Sequence, residues 1–372
     1  MNRACICRGQ EQPRRVGDGY TPSPPGGCRL RTMNLGTHTF LPTTRVHFGA
    51  GSLEKLEEEA WSNVRAFIIT GRTLHEETDL IRRVEAMLGE KHTGTFSGMG
   101  QHTPGSAVEK AAEEAREADL LISVGGGSVI DGTKAVSVRL GYPDQFAVPT
   151  TLSGSEWAHL IGVTDEAKGR KSGFADPGAV PPVVILDAEV TLFTPEKLWL
   201  STGIRALDHA IEGFLGPKEH PIEDVLGLEG ARRLIAYLPR SKEEPEDISI
   251  RHELQIAQWM AYSGPMNTPM GLSHNLGRRI GASYGVPHGI TSCITLAPTL
   301  EVIRDQIPEA RWAMLREALG GDPAERVASL VERLELPDKL SDVGVPEKDL
   351  EEIAREFGDQ TEDARQILHY AR

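Results

Sequence analysis

The stretch "GIRALDHAIEG", Gly203 to Gly213, sets Arg205, Asp208, His209 and Glu212 among Ile204, Ala206, Leu207, Ala210 and Ile211, an apolar spacing that fits a helix with chemistry built into it. A second stretch, "MGLSHNLGRRIGASYGVPHG", carries His274, Arg278 and, after the Val286-Pro287 turn, His288. Imidazoles on separate helices can meet in a bundle interior and hold one divalent ion, or hand a proton to a reacting oxygen. Each one alone also reads as a core histidine with a satisfied ring. Arg205 and His209, four positions apart, fall on one helical face. Asp208 points to another face, and with Glu212 one turn on it reads as a solvated or capping pair.

Two further stretches suit a phosphate or a ribose. In "LLISVGGGSVIDGTKAV" an apolar strand runs into Gly125, Gly126, Gly127 and Ser128 and then into a helix expected near Val129, with Asp131 and Lys134 in its first turns. Glycines there let the backbone approach a pyrophosphate, and the free amides and positive end of the helix attract its charge. The same residues also read as a tight turn that binds nothing. "PTTLSGSEWAH" repeats the pattern with Thr150, Thr151, Ser153, Gly154 and Ser155 at another strand end. Two such ends in one alternating region fit a dinucleotide lying across the carboxyl ends of parallel strands.

The elements that would position these groups fall into two halves. Arg65 to about Leu192 alternates strand runs ("VRAFIIT", "ADLLISVGGGS", "FAVPTT", "PPVVILD") with helical spacing ("SAVEKAAEEAREA", "DGTKAVSVRLG"), which predicts a parallel α/β sheet covered on both faces. From about Thr194 helices dominate, from "IEDVLGLEGARRLIAYL" to "EKDLEEIAREFG". The expected division is 1–32 as a disordered, Pro-, Gly- and Arg-rich extension, 33–192 as a dinucleotide-binding domain and 193–372 as an all-α catalytic domain. Met33 is an alternative start, and Glu11 and Asp18 do not suit a transit peptide.

A net charge of −14 argues against a nucleic-acid backbone or an anionic membrane as partner. The chain has neither an apolar run of about 18 residues nor a secretory h-region, so a cytoplasmic protein is expected. Cys5, Cys7 and Cys28 crowd near the start and Cys293 stands alone, which offers no disulfide framework.

Taken together, "GGGSVIDGTK", "PTTLSGSE", "GIRALDHAIEG" and "GLSHNLGRRIGASYGVPHG" resemble, in order and separation, the iron-containing alcohol dehydrogenase superfamily of dehydroquinate synthase-like fold. "FGAGSLEKL" and "RHELQIAQWMAYSG" resemble further family segments, and the likeness runs from about residue 33 to 372. It implies a homodimer in which NAD(P)H exchanges hydride with a small carbonyl or alcohol in a cleft between the halves. The short "PTTLSGSE" is most similar to maleylacetate reductases. Family metal sites take an aspartate at the position of Arg205 and histidines at those of His209, His274 and His288, and another histidine commonly stands at the position of Arg278. Two guanidiniums there would grip carboxylates and repel iron or zinc. The resemblance therefore implies a metal-free reduction of a carbonyl or activated double bond in an anionic substrate. In that scheme Arg205 and Arg278 hold the charge, and His274 or His288 supplies the proton. Gly125 to Ser128 hold the pyrophosphate, Asp131 lies by the nicotinamide ribose, and Thr150, Thr151 and Ser155 line the cofactor. Thr70, Gly71 and Arg72 stand where NAD-preferring relatives often have an aspartate, which permits NADP(H). The alternative is a metal-dependent alcohol dehydrogenase with Arg205 turned outward and Fe or Zn on His209, His274 and His288. A dehydroquinate synthase-like lyase or a nucleotide-binding protein without turnover are the readings in other classes.

Overall fold

The computed structural model describes residues 36–166 and 170–372, so the expected extension at 1–32 lies outside the described residues. In chain order the strands are β1 (Arg45–Phe48), β2 (Ala66–Thr70), β3 (His92–Phe96), β4 (Leu120–Gly125), β5 (Asp144–Pro149), β6 (Leu160–Asp165), β7 (Arg170–Ala175) and β8 (Val183–Leu186). The helices of the first half are α1 (Lys55–Glu59), α2 (Arg72–Glu77), α3 (Leu80–Leu88), α4 (Gly105–Glu114) and α5 (Gly127–Leu140). Those of the second are α6 (Glu196–Leu215), α7 (Glu223–Glu243), α8 (Ile248–Ala261), α9 (Leu272–Tyr284), α10 (His288–Ile303), α11 (Glu309–Leu319), α12 (Pro323–Arg333), α13 (Leu350–Arg355) and α14 (Thr361–Tyr370).

Six strands form one parallel sheet in the order β1-β8-β5-β4-β2-β3. Every residue of β2 and β4 is buried, as expected of strands covered on both faces. Side chains alternate between the two layers: Ile68, Leu120 and Ile122 join α3 (Ile81, Val84) on one face, while Phe67, Ile69 and Leu121 join α4 and α5 (Val108, Val136) on the other. β4 and β5 pair with Gly125 opposite Pro149, so the glycine stretch and the threonine–serine stretch leave the sheet side by side.

The second half packs around α6, which is buried from Trp199 through Phe214. Ile204, Leu207 and Ile211 meet Leu234, Leu254, Leu276 and Ile294 of the surrounding helices in one core. A helix buried all round must satisfy its polar side chains internally, and this fixes the fate of Arg205, Asp208, His209 and Glu212.

Two features differ from the sequence expectation. α5 begins at Gly127 rather than near Val129, because the glycine turn itself supplies the first helical residues. The β6–β7 antiparallel hairpin was not expected, since β6 is half-exposed and shows no apolar alternation. α14 lies within the stretch expected to be helical, and its Ala364, Ile367 and Leu368 are buried against the helical core. Among the described residues, no helix is long and apolar enough to cross a membrane.

Candidate active site

The glycine turn is shaped by close approach. Gly125 has φ +154°, and a Cβ there would meet Val129 Cγ2 at 2.9 Å; one at Gly127 would meet Ser153 Oγ at 2.9 Å and Ser155 Oγ at 3.1 Å. No side chain caps the N-terminus of α5, so its amides and dipole face outward beside these hydroxyls. Thr151 Oγ1 and Ser153 Oγ are buried there without a hydrogen-bond partner among the described residues. Buried polar atoms are rarely left so, and water, an ion or a bound polar ligand satisfies them. Gly71 abuts the same turn, 3.9 Å from Val129 Cγ2 at its Cβ position. Arg72 opens α2 on the surface, with Nε 3.8 Å from Glu76 Oε1.

Ser128 and Thr150 are tied into the backbone around the turn. Ser128 Oγ accepts the His102 amide at 3.0 Å, and the Thr150 amide donates to Gly125 O at 3.0 Å. Lys134 corrects the sequence reading. Its fully buried Nζ donates to the carbonyls of Ser155, Ala158 and Leu160 at 3.0–3.1 Å and pairs with Asp131 Oδ1 at 2.8 Å. It is a strut under the second loop rather than a hand on a phosphate, and Asp131 also accepts the Gly162 amide at 3.3 Å.

Glu156, in the same loop, is fully buried, and neither carboxylate oxygen has a hydrogen-bond partner among the described residues. Burial pushes its carboxyl up to about 7, with Asp131 adding to the shift and Lys134 opposing it.

Through Tyr262 the loop reaches the second cluster. A Cβ at Gly154 would meet Tyr262 Cδ2 at 2.5 Å, and the Tyr262 ring stands edge-on to His209 with centroids 4.9 Å apart. His209 and His274 are 5.6 Å apart by centroid, and His274 and His288 are 5.3 Å apart. The three imidazoles from α6, α9 and α10 thus converge.

Arg205 lies among them, with 3% of its surface exposed. Its Nη1 donates to Ser292 Oγ at 2.8 Å and to Asp208 Oδ2 at 3.1 Å. Its Nη2 sits 2.5 Å from His274 Nδ1, 2.8 Å from His274 Nε2 and 2.5 Å from His288 Nε2. A guanidinium only donates and does not give up its proton, so each ring accepts from it through the one nitrogen that carries a lone pair; a neutral His274 can do so with Nδ1 or with Nε2 but not with both. Burial first, and then the Arg205 charge, holds His209 and His274 well below the usual imidazole range, which keeps both rings neutral at pH 7.

Asp208 and Glu212 are not a solvated pair. Asp208 is fully buried, accepting from Arg205 and, at 2.7 Å, from the Ser292 hydroxyl. Glu212 accepts the amides of Gly271, Ser273 and His274 at 2.8–3.2 Å, capping α9 from a neighbouring helix. The capping sense was correct, but the capped helix is another one, and that cap fixes where His274 begins its turn. Arg278 lies one turn beyond His274 on the same face of α9; it is exposed, 3.6 Å by Nη2 from the Cβ position of Gly173, and does not touch Arg205. Ser292, Tyr262 and Glu156 were not named from the sequence as site residues, and no period or spacing signalled them.

Comparison with known proteins fits this geometry. Residues 42–188 match the model for iron-containing alcohol dehydrogenase, and residues 199–365 match that for the C-terminal part of the same family. The maleylacetate reductase of Sphingobium indicum is 32% identical over 314 residues, covering 83% of this chain and 87% of the relative. The chain belongs to the iron-containing alcohol dehydrogenase superfamily. It is an NAD(P)-dependent oxidoreductase. Among solved superfamily structures, maleylacetate reductase from Agrobacterium tumefaciens superposes with a TM-score of 0.82 at 28% identity, covering 91% of this chain and 98% of that one. The iron-containing alcohol dehydrogenase from Corynebacterium glutamicum gives a TM-score of 0.82 at 27% identity, covering 91% and 97%. Sulfoacetaldehyde reductase from Bifidobacterium kashiwanohense, solved with NAD+, shares the fold with a TM-score of 0.83 at 22% identity, covering 91% and 99%.

Proposed function

We propose that this superfamily member reduces a small carboxylated substrate of the maleylacetate type with hydride from NAD(P)H and without a catalytic metal. The observation that carries the reading is Arg205 Nη2, held within 2.5–2.8 Å of the His274 and His288 ring nitrogens. An ion ligated by those rings would need the same lone pairs and the same space, and would stand against a fixed positive charge. These residues do not fit the iron for which the superfamily is named.

In this scheme the nicotinamide hydride adds to the carbonyl carbon, or to the far carbon of a double bond conjugated with it, and the cofactor leaves oxidised. Negative charge develops on the substrate oxygen, where Arg205 stabilises it from a buried position. His274 or His288 passes the proton to the reduced product, and the ring is reprotonated from solvent. Arg278 meets a substrate carboxylate, for which a planar guanidinium is well shaped. Gly125, Gly126, Gly127 and Ser128 receive the pyrophosphate, with Thr150, Thr151, Ser155 and Asp131 along the cofactor. Lys134 supports that surface without reaching it.

We further infer a cofactor-binding domain over 33–192, a catalytic domain over 193–372, and a homodimer, by likeness to the family. Thr70-Gly71-Arg72 carries no acidic side chain to exclude a 2′-phosphate, which supports use of NADPH as well as NADH.

The deciding experiment follows NADH and NADPH oxidation with maleylacetate, 2-oxo-acids and short aldehydes, and the reverse reaction with glycerol, before and after chelation. Turnover with a dicarboxylate that survives chelation is expected. Iron- or zinc-dependent oxidation of a simple alcohol, with no turnover of any oxo-acid, overturns the reading.

A further inference from the structure

A second histidine cluster lies outside the site just described and shares no residue with it. His38 comes from the segment before β1, His220 from the turn between α6 and α7, and Glu223 is the first residue of α7. His38 Nδ1 is 3.2 Å from Glu223 Oε1 and 3.3 Å from His220 Nε2, and His220 Nε2 is 3.8 Å from the same carboxylate oxygen. A point equidistant from these three atoms lies about 2.0 Å from each, within the range of zinc–nitrogen and zinc–oxygen bonds.

The surroundings suit such a centre. Glu223 is only 3% exposed, and its second oxygen, Oε2, is buried without a hydrogen-bond partner among the described residues. Asn267 Nδ2 donates to Oε1 at 2.6 Å, the kind of outer contact that orients a ligating carboxylate. The two imidazoles are half-buried, which leaves access for an ion from solvent. Two contacts have to change: Asn267 Nδ2 lies 3.4 Å from His38 Nδ1 and loses that long contact when the nitrogen ligates. The Glu223 amide donates to His220 Nδ1 at 3.2 Å, so the ring proton of neutral His220 sits on Nε2, facing His38. Ligation by Nε2 moves that proton to Nδ1 and releases the long hydrogen bond from the Glu223 amide.

We propose that His38, His220 and Glu223 bind one divalent transition-metal ion, with zinc the best match, clipping the segment at His38 to the start of α7. Two imidazoles and one carboxylate select zinc-like ions over magnesium or calcium, which take oxygen ligands. The site is a structural clip and takes no part in hydride transfer.

The test uses the full chain, stripped with a chelator and dialysed, then titrated with zinc chloride in competition with a chromophoric chelator. One zinc per chain is expected, together with a higher unfolding midpoint. His220→Ala and Glu223→Gln should each weaken binding by at least about tenfold, as losing a ligand costs no less than losing an outer-shell contact. His38→Gln, outside any helix, should lose the zinc-induced rise in midpoint while keeping the wild-type circular dichroism and NAD(P)H oxidation. It carries the test should Glu223→Gln unfold. His274→Ala should bind zinc as the wild type does. Zinc that binds equally to wild type and His38→Gln, or that is lost only in His274→Ala, overturns the proposal, as does a wild type that takes up none.

Discussion

The two histidine clusters of this chain are alike in ligand type and opposite in the charge at their centre. Around Arg205 three imidazoles from three helices converge, and two of them, His274 and His288, face a buried guanidinium with a ring nitrogen that has to accept. Around Glu223 two imidazoles meet a buried carboxylate with one oxygen unengaged. A cluster with a fixed cation inside is prepared for an anion, and one with a fixed anion is prepared for a cation. Histidines alone therefore say little about a metal; the sign of the charge they surround says more.

The sharpest way to break this contrast is to reverse the central sign. Arg205→Asp places a carboxylate among His209, His274 and His288, and should lower kcat by about 10²–10³ by removing the donor for the developing oxyanion. The same variant should acquire a chelatable ion, measured by elemental analysis in a His220→Ala background so that the outer cluster does not contribute. A metal-free Arg205→Asp with near-normal turnover would end the argument from charge.

Glu156 sharpens the comparison with a buried carboxyl whose oxygens accept no hydrogen bond among the described residues. Its folded-state carboxyl titrates near 7, against 4.5 for an ordinary glutamate, so between those values the folded state holds more protons than the unfolded one. Stability of the cofactor-free protein should then fall as pH rises from about 5 to 7 and level off above, by at most about 3 kcal/mol on the scale of 1.36 kcal/mol per pKa unit. Glu156→Gln should remove this fall, with denaturant melts near pH 5 and pH 8 as the check. Equal pH dependence in both proteins would mean the carboxyl is solvated or paired.

The smallest effect is expected at Arg72, an exposed charge beside Glu76. Arg72→Ala should weaken NADPH by a few-fold, on the order of the 1 kcal/mol that exposed charge pairs reach, and leave NADH unchanged. Matched Michaelis constants for the two cofactors decide it, and an equal loss for both would remove Arg72 from cofactor choice.

Much of the scaffold was legible because its signals are local. "AFIIT" and "LLISVG" are continuous apolar runs, as buried parallel strands require, and the glycines from 125 to 127 stand where backbone and hydroxyls approach within van der Waals contact. The hairpin of β6 and β7 lacked such a signal and was found only in the fold. Arg205 and His209 were read as sharing one face of one helix, and α6 places them so.

What the sequence determined by itself is the inventory and its spacing: a guanidinium one turn before a histidine, two more histidines further on, and glycines at a strand end. Tertiary structure alone decided what each group touches. Lys134 became a strut because carbonyls 21 to 26 residues away close over it, and Glu212 became the cap of a helix that starts some 60 residues later. His38 and Glu223 met because the fold brings the segment before β1 against the start of α7. Spacing along one helix or strand is fixed by its geometry, but the partner of a buried charge is fixed by how the elements pack, and no local pattern encodes that.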